Sequence, residues 1–437
     1  MTATDNQPIP VLFIDSGGGY GGPGAFLCYL LRSLNRDRFQ PTVAYYFGHS
    51  APEVGELRRM GIPVLFFSRN RGLTNFILER ILAGDSKWKW LALAKALIRH
   101  TLLFTLEDVP QLARLLLTLK QRKIQLMVLN NDVHYHRVAA LAAKLTGIPC
   151  ICRKAGGVGK APRIKKILTP WIDLFIAISE DTARDQREKN PGSRRVVKVF
   201  EGIDLGRFDP YSSHPRVRAE LGIPAGNKVV GYVSRLVPGK GHLEFLEAAA
   251  SISRQRLDVT FLIVGDNMAE AASGYSSELY RRAERLGLNG SVIFAGWRTD
   301  VPEILSTLDV FVHCPTSWIE GLGIAHLEAM AMGKPTVVSQ NGGLTDAAVD
   351  GETGFVVPCG DTARLSAAIS RLLEEPELAF RFGRNARRRV EALFDARKNT
   401  RELEKYFEEY ALKRHSNLSA RHSAEYGGEG RTFRRTA

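Results

Sequence analysis

Four charged residues and a run of glycines carry the chemistry available to this 437-residue chain. In the stretch WIEGLGIAHLEAMAMGKP, residues 318–335, Glu320 and Glu328 are separated by small and apolar residues apart from His326. A carboxylate among apolar neighbours is costly unless something pairs with it. The backbone N–H groups of Gly321, Leu322 and Gly323, at what reads as a helix start, attract an anion. Carboxylates beside such a start accept hydrogen bonds from hydroxyl groups. In GYVSRLVPGKG, Arg235 directly follows an apolar strand-like run and Lys240 precedes a helix beginning near His242. Two cations spaced around Pro and Gly can converge on one diphosphate, Arg as a fork of donors and Lys as a point charge. Two solvated loop cations are the plainer alternative. In DSGGGYGGPGAF, Gly17, Gly18, Gly19, Gly21 and Gly22 let backbone approach an anion closely, and Pro23 is suited to a first helical turn. No Lys follows these glycines, so the stretch is not a P-loop.

Alternating apolar runs and helical patterns must position these groups. VLFID, PTVAYYF, PVLFFS, IQLMVLN, IPCICR, DLFIAIS and RVVKVFEGID alternate with helical segments, and the pattern restarts at KVVGYVS (228–234). VTFLIVG, SVIFAG, DVFVH, PTVVS and GFVVP continue it. Short continuous apolar runs of this kind are the mark of parallel strands covered on both faces. The reading is an α/β chain of two Rossmann-like, doubly wound parallel-sheet domains facing a cleft. The first domain spans 1–205 and the second 206–395. A helix over 396–412 closes the ordered part, and a basic, polar tail over 413–437 is expected to be disordered. Both glycine and cation motifs then fall at carboxyl ends of strands, where open α/β sheets bind ligands. Two carboxylates flanking an anion-binding helix start suit a ligand with hydroxyls on both sides of a diphosphate, which describes a nucleotide sugar.

Hydrophobic content of 44% with 24% charged residues is that of a soluble globular chain. Five cysteines lack paired metal-site spacing, and the N-terminus shows no signal peptide, so a reducing cytoplasmic setting is expected. The net charge of +14 predicts an anionic partner. A nucleic-acid surface has little use for Glu320 and Glu328, so nucleic acid is not expected. Residues 73–121 break the alternation and read as two or three helices. Trp90, Leu91, Leu93, Leu97, Ile98, Leu102 and Phe104 share one side, with Lys89, Lys95, Arg99 and His100 mostly opposite. That pattern fits either a basic surface resting on an anionic membrane or a helix packed on the sheet with a solvated basic face.

The spacing E-x7-E, the upstream SRLVPGKG and the downstream GKPTVVSQNGGLTDAAVDGETGFVVPCGD resemble the family-4 retaining glycosyltransferases of the GT-B fold. ISED, EGIDLGRFDP and VIFAGWRTDVPEILSTLDVFV are similar to that family at matching places, and the likeness covers about residues 8–412. The resemblance implies that Arg235 and Lys240 neutralise the donor diphosphate, with Glu328 on the ribose hydroxyls and Glu320 beside the transferred sugar. It places Gly321–Gly323 on phosphate, Trp297 and Arg298 beside the base, and the Gly17–Gly22 turn facing donor phosphates and acceptor. Asn131 and His134 stand near where relatives often carry an H-x-H motif, so His134 is either near the reacting sugar or structural. Asp346 replaces a more usual Glu. The implied reaction moves a sugar, with retention and without a metal or other cofactor, to a membrane-linked glycan or lipid acceptor at the inner face of the membrane. The same chemistry on a soluble acceptor, or sugar-nucleotide epimerisation, are the alternatives.

Overall fold

The computed structural model describes residues 7–17, 21–46, 52–67, 95, 98, 99, 101–156, 163–211, 214–266 and 274–426. Gly18, Gly19 and most of 73–100, including Trp90, lie outside the described residues.

Among the described residues, thirteen strands form two all-parallel sheets. The first contains β1 (Ile9–Asp15), β2 (Phe39–Tyr45), β3 (Val64–Phe66), β4 (Leu126–Asn130), β5 (Cys150–Lys154), β6 (Leu174–Ala177) and β7 (Val196–Lys198) in the order 3-2-1-4-5-6-7. The second contains β8 (Lys228–Val233), β9 (Val259–Val264), β10 (Val292–Phe294), β11 (Val310–His313), β12 (Thr336–Ser339) and β13 (Gly354–Val357) in the order 10-9-8-11-12-13. The strand order reverses beside β1 and beside β8, which opens a crevice at the carboxyl end of each. The central apolar runs are buried on both faces because helices cover both sides, as parallel crossovers require, while the edge strands β3, β7 and β10 are only partly covered. Cys150 and Cys152 point into the same apolar cluster on one face of the first sheet.

The other face of that sheet shares a continuous core with the second domain. Phe13, Phe26 and Leu30 belong to one apolar body with Phe311, Leu327 and Met330. The helix Gly22–Ser33, buried from Phe26 to Leu31, is the bridge between them.

The chain crosses between domains twice. The linker from Ile203 leads into the second domain, and Ala396 starts a helix that returns to the first. The crossings are tied together: Ile203 N–H donates to the Phe394 carbonyl at 2.7 Å, and Ala396 N–H to the Ile203 carbonyl at 3.0 Å. A Cβ at Gly202 would stand 2.3 Å from the Ala396 Cα, so only glycine allows this approach. Phe407 of the returning helix meets Phe13 and Phe39 edge-on at 5.9 and 6.0 Å. Glu404 accepts from Asn35 N–H at 2.7 Å, and Arg195 pairs with Glu409 at 2.7 Å.

This helix runs to Tyr426 rather than ending at 412. The polar tail has few large apolar residues to bury, but its Ala, Leu, Lys, Arg and Glu are sound helix formers and no proline interrupts them. Low hydrophobicity was therefore a poor guide to where the backbone leaves the helix. In the 73–121 segment, described helix precedes a π-turn at Phe104–Asp108 and continues as Val109–Gln121. No helix among the described residues is long and apolar enough to cross a membrane.

Candidate active site

Strand register assembles the floor of the first crevice. Asp15 pairs with Asn130 across β1 and β4, and Asn130 with Arg153 across β4 and β5, so three polar side chains line up at adjacent strand ends. Asp15 accepts from Gly17 N–H at 2.7 Å and from the Asn130 amide. Asn130 also donates to the Pro23 carbonyl at 3.1 Å. Arg153 donates to Asn130 at 2.7 Å, pairs with buried Glu201, and stacks 4.2 Å over the Phe26 ring. The glycine turn is therefore held at both ends, at Gly17 and at Pro23, by side chains the sequence reading had not singled out. Gly17 adopts a left-handed conformation. A Cβ on Gly21 would lie 3.5 Å from Arg235 Nε, and one on Gly22 would lie 3.3 Å from Ile324. The glycine turn thus meets the second domain's cation loop and helix start face to face.

In the second crevice, Lys240 sits between two left-handed glycines, Gly239 and Gly241. A Cβ on Gly241 would overlap the Cys314 carbonyl, so the absent side chain lets the Lys240 loop press on the loop after β11. The Gly239 carbonyl accepts from Thr316 N–H at 2.9 Å and Trp318 N–H at 3.2 Å. The Tyr232 hydroxyl donates to the Lys240 carbonyl and accepts from Cys314 N–H at 3.3 Å. These contacts aim the Lys240 ammonium at Glu320, with which it makes a buried ion pair. His313, the last residue of β11, brings its Nε2 to the same Glu320 oxygen at 3.0 Å. The Glu320 backbone is clamped as well, its N–H donating to Asn341 at 2.9 Å and its carbonyl accepting from Gly343 N–H at 3.0 Å. Burial alone would raise the Glu320 carboxyl, but Lys240 and His313 outweigh it and hold the group well below the usual carboxylate range. The face of Trp318 lies 5.2 Å from the Arg235 guanidinium and 4.9 Å from the Lys240 ammonium. One indole therefore sits against both cations.

Glu328 lies on the helix Ile324–Ala331 and faces the other domain. Tyr29, on the helix Gly22–Ser33, donates its hydroxyl to Glu328 Oε1 at 2.6 Å, and both residues are buried. Burial pushes the Glu328 carboxyl up to about 7, although Tyr29 and Arg207 pull it down.

Arg235, Lys240, Glu320 and the Gly21–Gly22 end of the glycine turn thus converge, with Glu328 on the same inter-domain surface. Gly321 is pressed against the first domain, where a Cβ would lie 2.1 Å from the Ala155 carbonyl, and Leu322 is buried. Gly323, left-handed, caps the helix bearing Glu328. Arg298 is tied down by acidic partners of its own domain. Its guanidinium is engaged by Asp300 at 2.6 and 2.8 Å and also by Glu220, so these two carboxylates take up its N–H donors. Trp297 keeps a partly exposed indole. His134 is placed by its own domain: its Nδ1 lies 3.3 Å from Asp132, which Lys165 binds at 2.6 Å, and its ring rests 3.9 Å from that of Tyr135. Asn131, at φ 140°, shapes the turn before it and bonds Asp132 N–H at 2.9 Å. These contacts of both residues lie within the first domain.

Sequence reasoning missed Tyr29, His313 and Trp318. His313 carried a signal, being a polar residue ending an apolar strand at a switch point. Tyr29 carried none, since a tyrosine inside AFLCYLLRSL reads as core.

Residues 213–389 match the family model described as glycosyl transferases group 1. The chain is 29% identical over 238 residues to the putative glycosyltransferase EpsD of Bacillus subtilis, covering 54% of this chain and 60% of that protein. It is 28% identical over 307 residues to an Escherichia coli UDP-Gal:alpha-D-GlcNAc-diphosphoundecaprenol alpha-1,3-galactosyltransferase, covering 65% of this chain and 75% of that one. The fold superposes on that of Anabaena HepE in complex with UDP and glucose, with a TM-score of 0.75 at 23% identity, covering 91% of this chain and 99% of that chain. The match to the glycosyl transferases group 1 thus lies within the second domain, and the two domains together have the GT-B fold.

Proposed function

We propose that this chain is a retaining, metal-independent glycosyltransferase moving a sugar from a nucleotide diphosphate to a hydroxyl of a lipid-linked glycan. The observation that carries this reading is the convergence of Arg235 and Lys240 on Trp318 at the crevice beside β8, with Glu320 paired to Lys240. A diphosphate entering there draws on both cations as its bond to the sugar lengthens, and preorganised cations of this kind stabilise a leaving anion where other enzymes use a metal. Glu320, held as a carboxylate, then faces the sugar hydroxyls. Glu328 takes the ribose, and the Gly17–Gly22 turn brings the acceptor hydroxyl to the face from which the diphosphate departs.

The lipid-linked acceptor is supported by the undecaprenol-linked substrate named for the E. coli relative. Exposed apolar residues on the first domain also favour it: Ile98 is 43% and Phe104 50% exposed, with Val109 and Leu117 also open and exposed Arg99 and Arg114 nearby. Apolar groups among cations suit an anionic membrane face on the cytoplasmic side.

Arg235→Ala should lower turnover about 100-fold with the fold intact. The measurement is the initial rate with a nucleotide sugar and a polyprenol-linked acceptor, the product's anomeric configuration being read by NMR. A near-wild-type rate refutes the diphosphate assignment, and an inverted product refutes retention.

A further inference from the structure

Tyr29 and Glu328 come from different domains, yet they make one of the shortest buried contacts between them. The phenol is 2% exposed and the carboxyl 6%. The Tyr29 ring stands edge-on to Phe208 of the linker, at 6.3 Å and 84°, which leaves its hydroxyl directed at Glu328 Oε1. Every other residue from Phe26 to Leu31 of that helix is an apolar or sulfur side chain in the core. A hydroxyl in this row needs a partner when buried, and Glu328 is the partner it has. A carboxylate has acceptor capacity for several donors, so one oxygen held by Tyr29 leaves the other for a ligand hydroxyl.

We propose that Tyr29 is a positioning residue for the donor's ribose: it holds Glu328 from the opposite domain, so the ribose seat is complete only while the domains are apposed. The inference rests on the assignment of Glu328 to ribose above. It adds that nucleotide affinity reports domain closure, because an essential donor to Glu328 lies on the first domain. The surroundings of the pair are few. Arg207 of the linker faces both groups, and Glu56 faces Tyr29. Arg207 is itself tied to the Thr299 carbonyl at 3.2 Å. The Tyr29 hydrogen bond favours the ionised form of Glu328. Ribose hydroxyls bind that form best, so losing the phenol must shift the pH at which the nucleotide binds.

The test uses the full chain, with UDP, GDP and ADP as probes in calorimetric titrations from about pH 5.5 to 8.5, a range spanning the shifted carboxyl. Tyr29→Phe keeps the ring and removes only the hydroxyl, and Glu328→Gln keeps the shape and removes the charge. The expected result is that the nucleotide bound by wild type binds about tenfold more weakly to Tyr29→Phe at neutral pH, a typical cost of one charge-assisted hydrogen bond. Its affinity should also rise with pH only at a higher pH than in wild type. Glu328→Gln should be weak with a flat profile, and the double variant no weaker than Glu328→Gln alone. If Tyr29→Phe matches wild type in affinity and profile while Glu328→Gln is weakened, Tyr29 is packing only and the inference falls. Unchanged affinity in Glu328→Gln overturns the ribose assignment itself, and failure of wild type to bind any probe overturns the nucleotide-donor reading.

Discussion

The loop after β11 and the inter-domain face of the helix Ile324–Ala331 each bury one carboxyl of the same short segment, and they treat it in opposite ways. Around Glu320, every partner belongs to the second domain. Lys240, His313 and Asn341 all come from that domain, and the group is held ionised. Around Glu328, the closest partner is a phenol from the first domain, and burial lifts the carboxyl to about 7. The ionised group is held wholly within one domain. A carboxyl at the interface between domains is left close to neutrality, where it costs less if its partner is absent.

The largest expected effect comes from breaking the first arrangement. Lys240→Ala leaves Glu320 buried with His313 alone, and should cost roughly 3 kcal/mol of unfolding free energy, the usual penalty for stripping one member of a buried pair. Turnover should fall about 100-fold as well. Adding Glu320→Gln should recover most of the stability in chemical denaturation and none of the turnover. Full recovery of both would mean that the pair is structural only.

Glu328→Gln sharpens the contrast from the other side. The Glu328 carboxyl is raised in the folded state from 4.5 to about 7, so its contribution is fully present below about pH 4.5 and is lost as pH rises through 7. Gln titrates nowhere in this range. At pH 8 the variant should be more stable than wild type by up to about 3 kcal/mol, with no advantage at pH 4, as read from denaturation midpoints at the two pH values. Equal stability at pH 8 would place Glu328 in a wetter setting than the structure shows.

A smaller effect tests whether other contacts between domains share this economy. Asp346 of the second domain accepts from Glu180 N–H, at the start of the first-domain helix Glu180–Lys189, at 2.6 Å. Asp346→Ala should cost about 1 kcal/mol, as for a lost helix cap, and should leave the Lys240–Glu320 pair and its effect on turnover untouched. A loss of turnover out of proportion to stability would show that this cap governs closure.

Much of this was legible from the chain. All thirteen strands coincide with short apolar runs, because parallel strands covered on both faces need a continuous apolar sequence. The Pro-Gly-Lys-Gly turn announced Lys240, since glycine on both sides of a cation marks backbone that must pack tightly. What stayed hidden was partnership at long range. Nothing beside Arg298 in the sequence tells that Glu220, 78 positions away, will reach it. Tyr29 and Glu328 are 299 positions apart, and only the packing of two helices from different domains joins them. The end of the last helix was misjudged for a related reason: composition reports what can be buried, while helix continuation also follows backbone propensity.

The paired crossings at Ile203 and Ala396 have a consequence for how the molecule opens. Two segments knotted side by side work as the spine of a book. The covers can swing apart about that line, but they resist sliding or twisting, because either motion would pull the two cords out of step. A swing about that line keeps the Ile203–Phe394 and Ala396–Ile203 hydrogen bonds, whereas a slide or a twist breaks them. A side chain at Gly202 would wedge the spine itself, and the cleft would then close out of true however well its walls were made.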